Sequence, residues 1–156
     1  MSVKAIPEGQ RSLTVYMGVA PADKAIEFYK KAFGATELFR LDGPDGRVGH
    51  AELQIGDSRL MLSEPCEQGG FTSPERGQKT SFGMHLYVTD VDAQFKRAID
   101  AGGTVVEDVK DQFYGDRSGS LKDPFGHLWF VATHKEDLTP EQIRERAMEM
   151  FGNAKA

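Results

Sequence analysis

A chain of 156 residues with a net charge of -5 and 39% hydrophobic residues has the length of a single domain that buries roughly two-thirds of the surface its unfolded form would expose. Lys and Arg are interspersed among Asp and Glu, so no basic stripe exists to neutralise the phosphates of a nucleic acid. No segment approaches the ~20 apolar residues of a membrane span or has the plan of an export signal, and the lone Cys66 excludes an internal disulfide, which together point to a soluble protein of a reducing, cytoplasmic compartment.

Along the chain, a strand-like run at 13–19 precedes a helix whose Ala22, Ile26, Tyr29 and Phe33 share one face at i, i+4, i+7 and i+11. Gly34 stops this helix in a left-handed cap. Strands follow at 36–41, 48–55 and 59–63, joined by the turn residues Gly43 to Gly46 and by Gly56 and Asp57. The plan then repeats. A strand at 82–88 leads into a helix with Val91, Phe95, Ala98 and Gly102 on one face, and strands follow at 104–109, 115–121 and 127–133. Asp123, Pro124 and Gly126 carry the chemistry of a type I turn before the last strand.

The expected organisation is therefore one α+β domain: a βαβββ module over 11–65, a linker over 66–80, a second βαβββ module over 81–134 and a C-terminal helix over 139–151. The stretch 68–79, rich in Gly, Ser, Pro and charge, reads as a mobile linker that could close over a ligand. In the last helix Thr139 is the N-cap, Pro140 stands at N1 and Gln142 completes a capping box. Its stripe of Ile143, Ala147, Met150 and Phe151 must bury against its own body or a second subunit, which suggests a homodimer.

A duplicated βαβββ unit carrying Asp123 Pro124 Phe125 Gly126 His127 before its last strand resembles the vicinal oxygen chelate superfamily, the glyoxalase and bleomycin-resistance fold. The resemblance covers about residues 11 to 134. His50 Ala51 Glu52 Leu53, Ile55 Gly56 Asp57, His85 Leu86 Tyr87 Val88, Tyr114 to Arg117 and Ala132 Thr133 His134 resemble its PhnB-like branch. It implies a cup-shaped mixed sheet with helices outside, and a scaffold shared by isomerases, dioxygenases, resistance enzymes and non-catalytic drug-sequestering proteins.

Metal-dependent members place one ligand on the first and last strand of each module. By that resemblance the four positions fall here at Thr14, Met61, Gly83 and Phe130. None is a competent ligand for a divalent ion that wants carboxylate oxygen or imidazole nitrogen, so no cofactor is expected. A register shift of two would bring His85 into play.

Period-2 alternation turns Ala51, Leu53 and Ile55 toward the helix and His50, Glu52 and Gln54 to the other face, with Tyr16, Met61, Ser63, His85, Tyr87 and Phe130 also in the cup. His50, Glu52 and His85 form either a displaced metal set or acid–base groups, or else His50 and Glu52 are solvated rim residues. Arg117 invites either the anionic group of a ligand or a salt bridge. Trp129 reads as core, His127 as a turn residue and His134 as exposed, while Phe39, Phe113 and Tyr114 line either a cup mouth or an interface.

Three functions follow. The leading one is a protein that binds a small organic molecule, anionic ones included, through Tyr16, Met61, His85, Tyr87, Arg117 and Phe130, without metal. The alternatives are a metal-dependent lyase, isomerase or dioxygenase-type enzyme using His50, Glu52 and His85, and a ligand-free structural dimer. No Walker or dinucleotide phosphate loop supports a role in phosphonate metabolism.

Overall fold

The computed structural model describes residues 3–66, 70, 72–74 and 77–152. Part of the expected linker therefore lies outside the described residues. The chain is α+β, with the element order β1 (Val15–Gly18), α1 (Ala22–Phe33), β2 (Thr36–Asp42), β3 (Val48–Ile55), β4 (Ser58–Ser63), β5 (Gly83–Tyr87), α2 (Val91–Asp100), β6 (Thr104–Asp111), β7 (Asp116–Lys122), β8 (Leu128–His134) and α3 (Pro140–Gly152). Among the described residues, no helix is long and apolar enough to cross a membrane.

Contacts divide the chain into two units, Met1–Lys79 with Pro124–Gly126, and Thr80–Asp123 with His127–Ala156. Each unit holds one four-stranded mixed sheet, ordered β1-β4-β3-β2 in the first and β5-β8-β7-β6 in the second. The sequence repeat is thus a repeat of topology, in which the first and fourth strands of each unit pair in parallel and the rest are antiparallel.

In the first unit, α1 presents the expected face, with Ala22, Ile26, Tyr29 and Phe33 buried, and widens it with Ala25, Phe28 and Ala32. The helix ends on Gly34 at φ 68°, where the Gly34 N–H donates to the Lys30 carbonyl and the Ala35 N–H to that of Tyr29, a left-handed termination that a residue without Cβ adopts at least cost. On β3, Ala51, Leu53 and Ile55 are buried while His50, Glu52 and Gln54 are half-buried, so the alternation reads as expected. The Phe125 ring joins this unit, edge-on to Phe28 with centroids 6.2 Å apart.

In the second unit, Val91, Phe95 and Ala98 are buried on α2, and the Asp90 side chain caps it by accepting from the Ala93 N–H. α2 ends at Asp100 with Ala101 right-handed, and Gly102 follows at φ 119°, its N–H donating to the Ile99 carbonyl and the Gly103 N–H to that of Ala98, a glycine-terminated end like that of α1. Trp129 is core, 2% exposed. The turn before β8 is organised by the buried Asp123, whose carboxylate accepts from the His127 N–H at 2.9 Å and from the Trp129 indole N–H at 3.1 Å. His127 is a buried turn residue, as expected.

The capping box of α3 is present on both sides: the Gln142 N–H donates to Thr139 Oγ1 and the Thr139 N–H to Gln142 Oε1. Its apolar stripe finds no burial in its own unit, where no residue of α3 is buried and Met150 and Phe151 are 57% and 59% exposed. Phe151 meets Phe113 edge-on, with centroids 5.7 Å apart.

Asp123 yields a stability test. Asp123→Ala leaves buried N–H groups of His127 and Trp129 without their acceptor, which is expected to cost about 2–4 kcal/mol. Urea unfolding should show a lower midpoint, and Asp123→Asn should recover part of the loss.

Candidate functional site

Strand register decides which side chains stand together on the open face of each sheet. In the first unit Tyr16 pairs with Met61, Met61 with Glu52 and Glu52 with Phe39, giving one transverse row of Phe39, Glu52, Met61 and Tyr16 across all four strands. His50 lies one pleat away. Thr14, expected at a ligand position, precedes β1, and the residue paired with Met61 is Tyr16.

The polar members of this face form a chain. The Tyr16 hydroxyl lies 3.0 Å from His50 Nδ1, and His50 Nε2 lies 3.6 Å from Glu52 Oε1. Glu52 Oε2 accepts from Arg59 Nη1 at 3.1 Å and from the Gln10 amide at 3.0 Å. His50 and Glu52 are thus not loosely solvated rim residues, since their side chains are only 25% and 18% exposed and they share one network. Gln10 and Arg59 escaped the sequence reading because their partner lies 42 and 7 residues away and no spacing signals the contact.

In the second unit Phe130 pairs with His85 and Gly83 with Leu128. His85, two residues on from the expected position Gly83, pairs with Phe130. Gly83 has a different use, because a Cβ there would come within 2.9 Å of the Phe130 ring. That ring stacks near-parallel to His85 at 6.1 Å, and His85 meets Tyr87 at 4.8 Å. Phe130, His85 and Tyr87 make a continuous exposed aromatic surface.

Tyr87 is held from behind. Its hydroxyl donates to Asp116 Oδ2 at 2.7 Å, and Asp116, 4% exposed, uses its other oxygen on His134 Nδ1 at 2.8 Å. His134 Nε2 lies 3.1 Å from Asp137 Oδ1. The Asp116 carboxylate raises the Tyr87 phenol above its ordinary range, and Asp116 followed by Asp137 raises His134 above its ordinary 6.5. His134 is exposed, as expected, but tied at both nitrogens.

Arg117 does not face the aromatic surface. Its Nε and Nη2 fork onto the two oxygens of Asp92 in α2, both at 2.8 Å, and Nη1 donates to Asp111 at 3.2 Å. The salt-bridge alternative describes it, and the guanidinium holds Asp92 below the usual carboxylate range.

The residues at the four metal positions do not fit a divalent ion. Those expected from the resemblance, Thr14, Met61, Gly83 and Phe130, offer a hydroxyl, a thioether, no side chain and a hydrocarbon ring. Among the described residues no three or more His, Cys, Asp or Glu side chains are grouped so as to hold a metal ion.

Comparison with known proteins agrees with this architecture. The family model described as the Glyoxalase/Bleomycin resistance protein/Dioxygenase superfamily matches residues 13–131. An uncharacterised protein of Mycobacterium tuberculosis is 42% identical over 136 residues, 85% of this chain and 80% of that protein. An uncharacterised Arabidopsis thaliana protein is 32% identical over 125 residues, 75% of this chain and 74% of its own length. Among solved structures, TioX from Micromonospora aligns with a TM-score of 0.65 at 28% identity, covering 80% of this chain and 99% of TioX. An antibiotic binding protein from Streptomyces shares the fold, with a TM-score of 0.60 at 22% identity over 86% of this chain and 99% of its own.

The Asp116–His134–Asp137 cluster makes stability depend on pH. Because His134 has a raised pKa in the folded state, its contribution is complete below the unfolded value of 6.5 and is lost as pH rises through the folded value. His134→Gln should therefore flatten the fall in melting temperature on the alkaline side of pH 6.5. A pH profile of thermal unfolding checks this.

Proposed function

Because the chain belongs to the glyoxalase/bleomycin resistance protein/dioxygenase superfamily, we propose that it is a PhnB-like member that binds a small organic molecule, anionic ones included, without a metal ion. What supports this reading is that the expected ligand positions Thr14, Met61, Gly83 and Phe130 lack metal-competent donors, while the open face of the second unit carries the stacked rings of His85 and Phe130. Such a surface suits stacking and apolar contact with a few polar anchors. Tyr87, fixed by Asp116, extends it and leaves the ring 60% exposed to a ligand. The antibiotic-binding member of the same fold is consistent with a sequestering role.

A second reading is favoured by the series Tyr16, His50 and Glu52, in which the Tyr16 hydroxyl hydrogen-bonds His50 and the Glu52 carboxylate lies 3.6 Å from the other ring nitrogen. A phenol, an imidazole and a carboxylate in sequence can pass a proton to or from a bound molecule, which is the equipment of a lyase or isomerase. Here His50 is the group exchanging the proton with Tyr16, and Glu52, steadied by Arg59 and Gln10, orients the imidazole.

The protein is read as cytoplasmic and homodimeric. The single exposed Cys66 suits a reducing compartment, and the stripe of Ile143, Ala147, Met150 and Phe151, unburied in its own unit, suits a second subunit.

Elemental analysis of protein purified without chelator or affinity histidines should find no divalent metal near one equivalent per chain; stoichiometric zinc, nickel, manganese or iron would instead favour the enzyme. In a thermal-shift screen of planar organic compounds, hits should be weakened about tenfold or more by His85→Ala or Phe130→Ala, in line with the loss of stacking and buried apolar area.

A further inference from the structure

The first unit contains two cavities that share a wall. One, of about 340 Å³, is bounded by Tyr16, Val48, Ser63, Glu64, Cys66 and Arg47. The other, of about 530 Å³, lies between the start of α1 and the β2–β3 hairpin and is bounded by Pro21, Asp23, Arg40, Val48, Glu64 and again Arg47. Both volumes are in or near the range of small-ligand sites. Arg47, Val48 and Glu64 separate them, and Tyr16 brings the open sheet face to the edge of the smaller one.

Arg47 is unlike the chain's other arginine of interest. Arg117 has its fork on Asp92 and a further nitrogen on Asp111. Among the described residues Arg47 has one ion pair, a single contact from Nη2 to Glu64 Oε2 at 3.0 Å, with the arginine side chain 55% exposed. A guanidinium offers five N–H donors in a fork that matches a carboxylate or phosphate. Glu64 shows that a carboxylate fits at this position.

Glu64 also has a second partner. Its Oε1 accepts from the Ala22 N–H at 2.7 Å, capping α1 from the end of β4. A carboxylate that remains on a helix N-terminus after losing its arginine is not stranded, because the positive end of the helix still compensates it. The exchange of Glu64 for an external anion on Arg47 therefore leaves no buried charge unpaired, and the side chain is 13% exposed.

We propose that Arg47 is the specificity-determining anchor for the anionic group of the ligand, a small organic carboxylate or phosphate monoester whose apolar body lies in the cavity walled by Tyr16, with Glu64 as the internal competitor that the anion displaces. The proposal rests on the reading of the protein as a small-molecule binder and names the charge class and the residue that selects it. Tyr16, in the same wall, contributes its ring, and its hydroxyl connects that wall to His50.

The test compares benzoate with benzyl alcohol, which share a ring and differ in charge, by NMR chemical-shift titration at low ionic strength. Wild-type protein is expected to bind benzoate about tenfold more tightly, Arg47→Gln should abolish the difference, and Arg117→Gln should leave it. Glu64→Gln keeps an oxygen for the Ala22 N–H but removes the competing charge, so benzoate should bind at least about threefold more tightly; a purely structural Arg47–Glu64 pair predicts no such gain. Circular dichroism confirms that each variant is folded. A preference for benzoate that survives in Arg47→Gln, or no gain in Glu64→Gln, overturns the anchor while the binding reading stands. Equal binding of the two compounds by wild type does the same. Failure of both compounds to bind wild type overturns the anchor together with the organic pocket.

Discussion

In each unit the first and fourth strands run side by side in the same direction, and a parallel ladder allows no choice of neighbour once its register is set. Tyr16 must stand beside Met61 and His85 beside Phe130. Everything on the open faces follows from these two pairings. The antiparallel strands extend the first row to Glu52 and Phe39, the pleat places His50 within reach of Tyr16, and in the second unit it places Tyr87 against His85. The helices secure the register from the opposite face, since a slip of one residue on β3 would carry Ala51, Leu53 and Ile55 out from beneath α1 and turn Glu52 inward.

The two units use one topology for different chemistry. In the first, polar groups are linked in series across the open face, and each is oriented by the next. In the second, rings are laid against one another and the polar groups are drawn behind the surface, where Asp116 joins Tyr87 to His134. Burying Asp116 is tolerable because both of its oxygens are satisfied. Charge is managed in the same way at Arg117, whose position on β7 is matched by Asp92 at the start of α2.

Much of the fold was legible in the residues. The recurrence of helix, glycine and strands carried the repeat; alternation on β3 carried the facing of His50 and Glu52; Thr139, Pro140 and Gln142 carried the start of α3. These are local signals, readable within one turn or one pleat. What was not legible depends on distance along the chain. The pairing of Tyr16 with Met61 and of His85 with Phe130 was not legible, because register is set by hydrogen bonds to β4 and β8, more than 40 residues away, and no spacing from the helix reveals it. The choice at Arg117 between a ligand anion and a salt bridge stayed open because Asp92 lies 25 residues earlier on another element. Arg47 drew no attention at all, since it follows a turn glycine and its partner Glu64 lies on another strand's end.

The last helix stands apart from this dependence on register. Its 13 residues are held by a cap at one end and by exposed ion pairs such as Arg144 with Glu141 and Arg146 with Glu136, each worth a few tenths of a kcal/mol to about 1. A helix of that length is marginal on its own in water, and none of its side chains is buried in the unit that carries it. Its free energy of opening is therefore a local quantity, small and separate from that of the sheets. The chain thus ends in a segment whose order can rise or fall with its surroundings while the register of the strands, and the faces it creates, stay as they are.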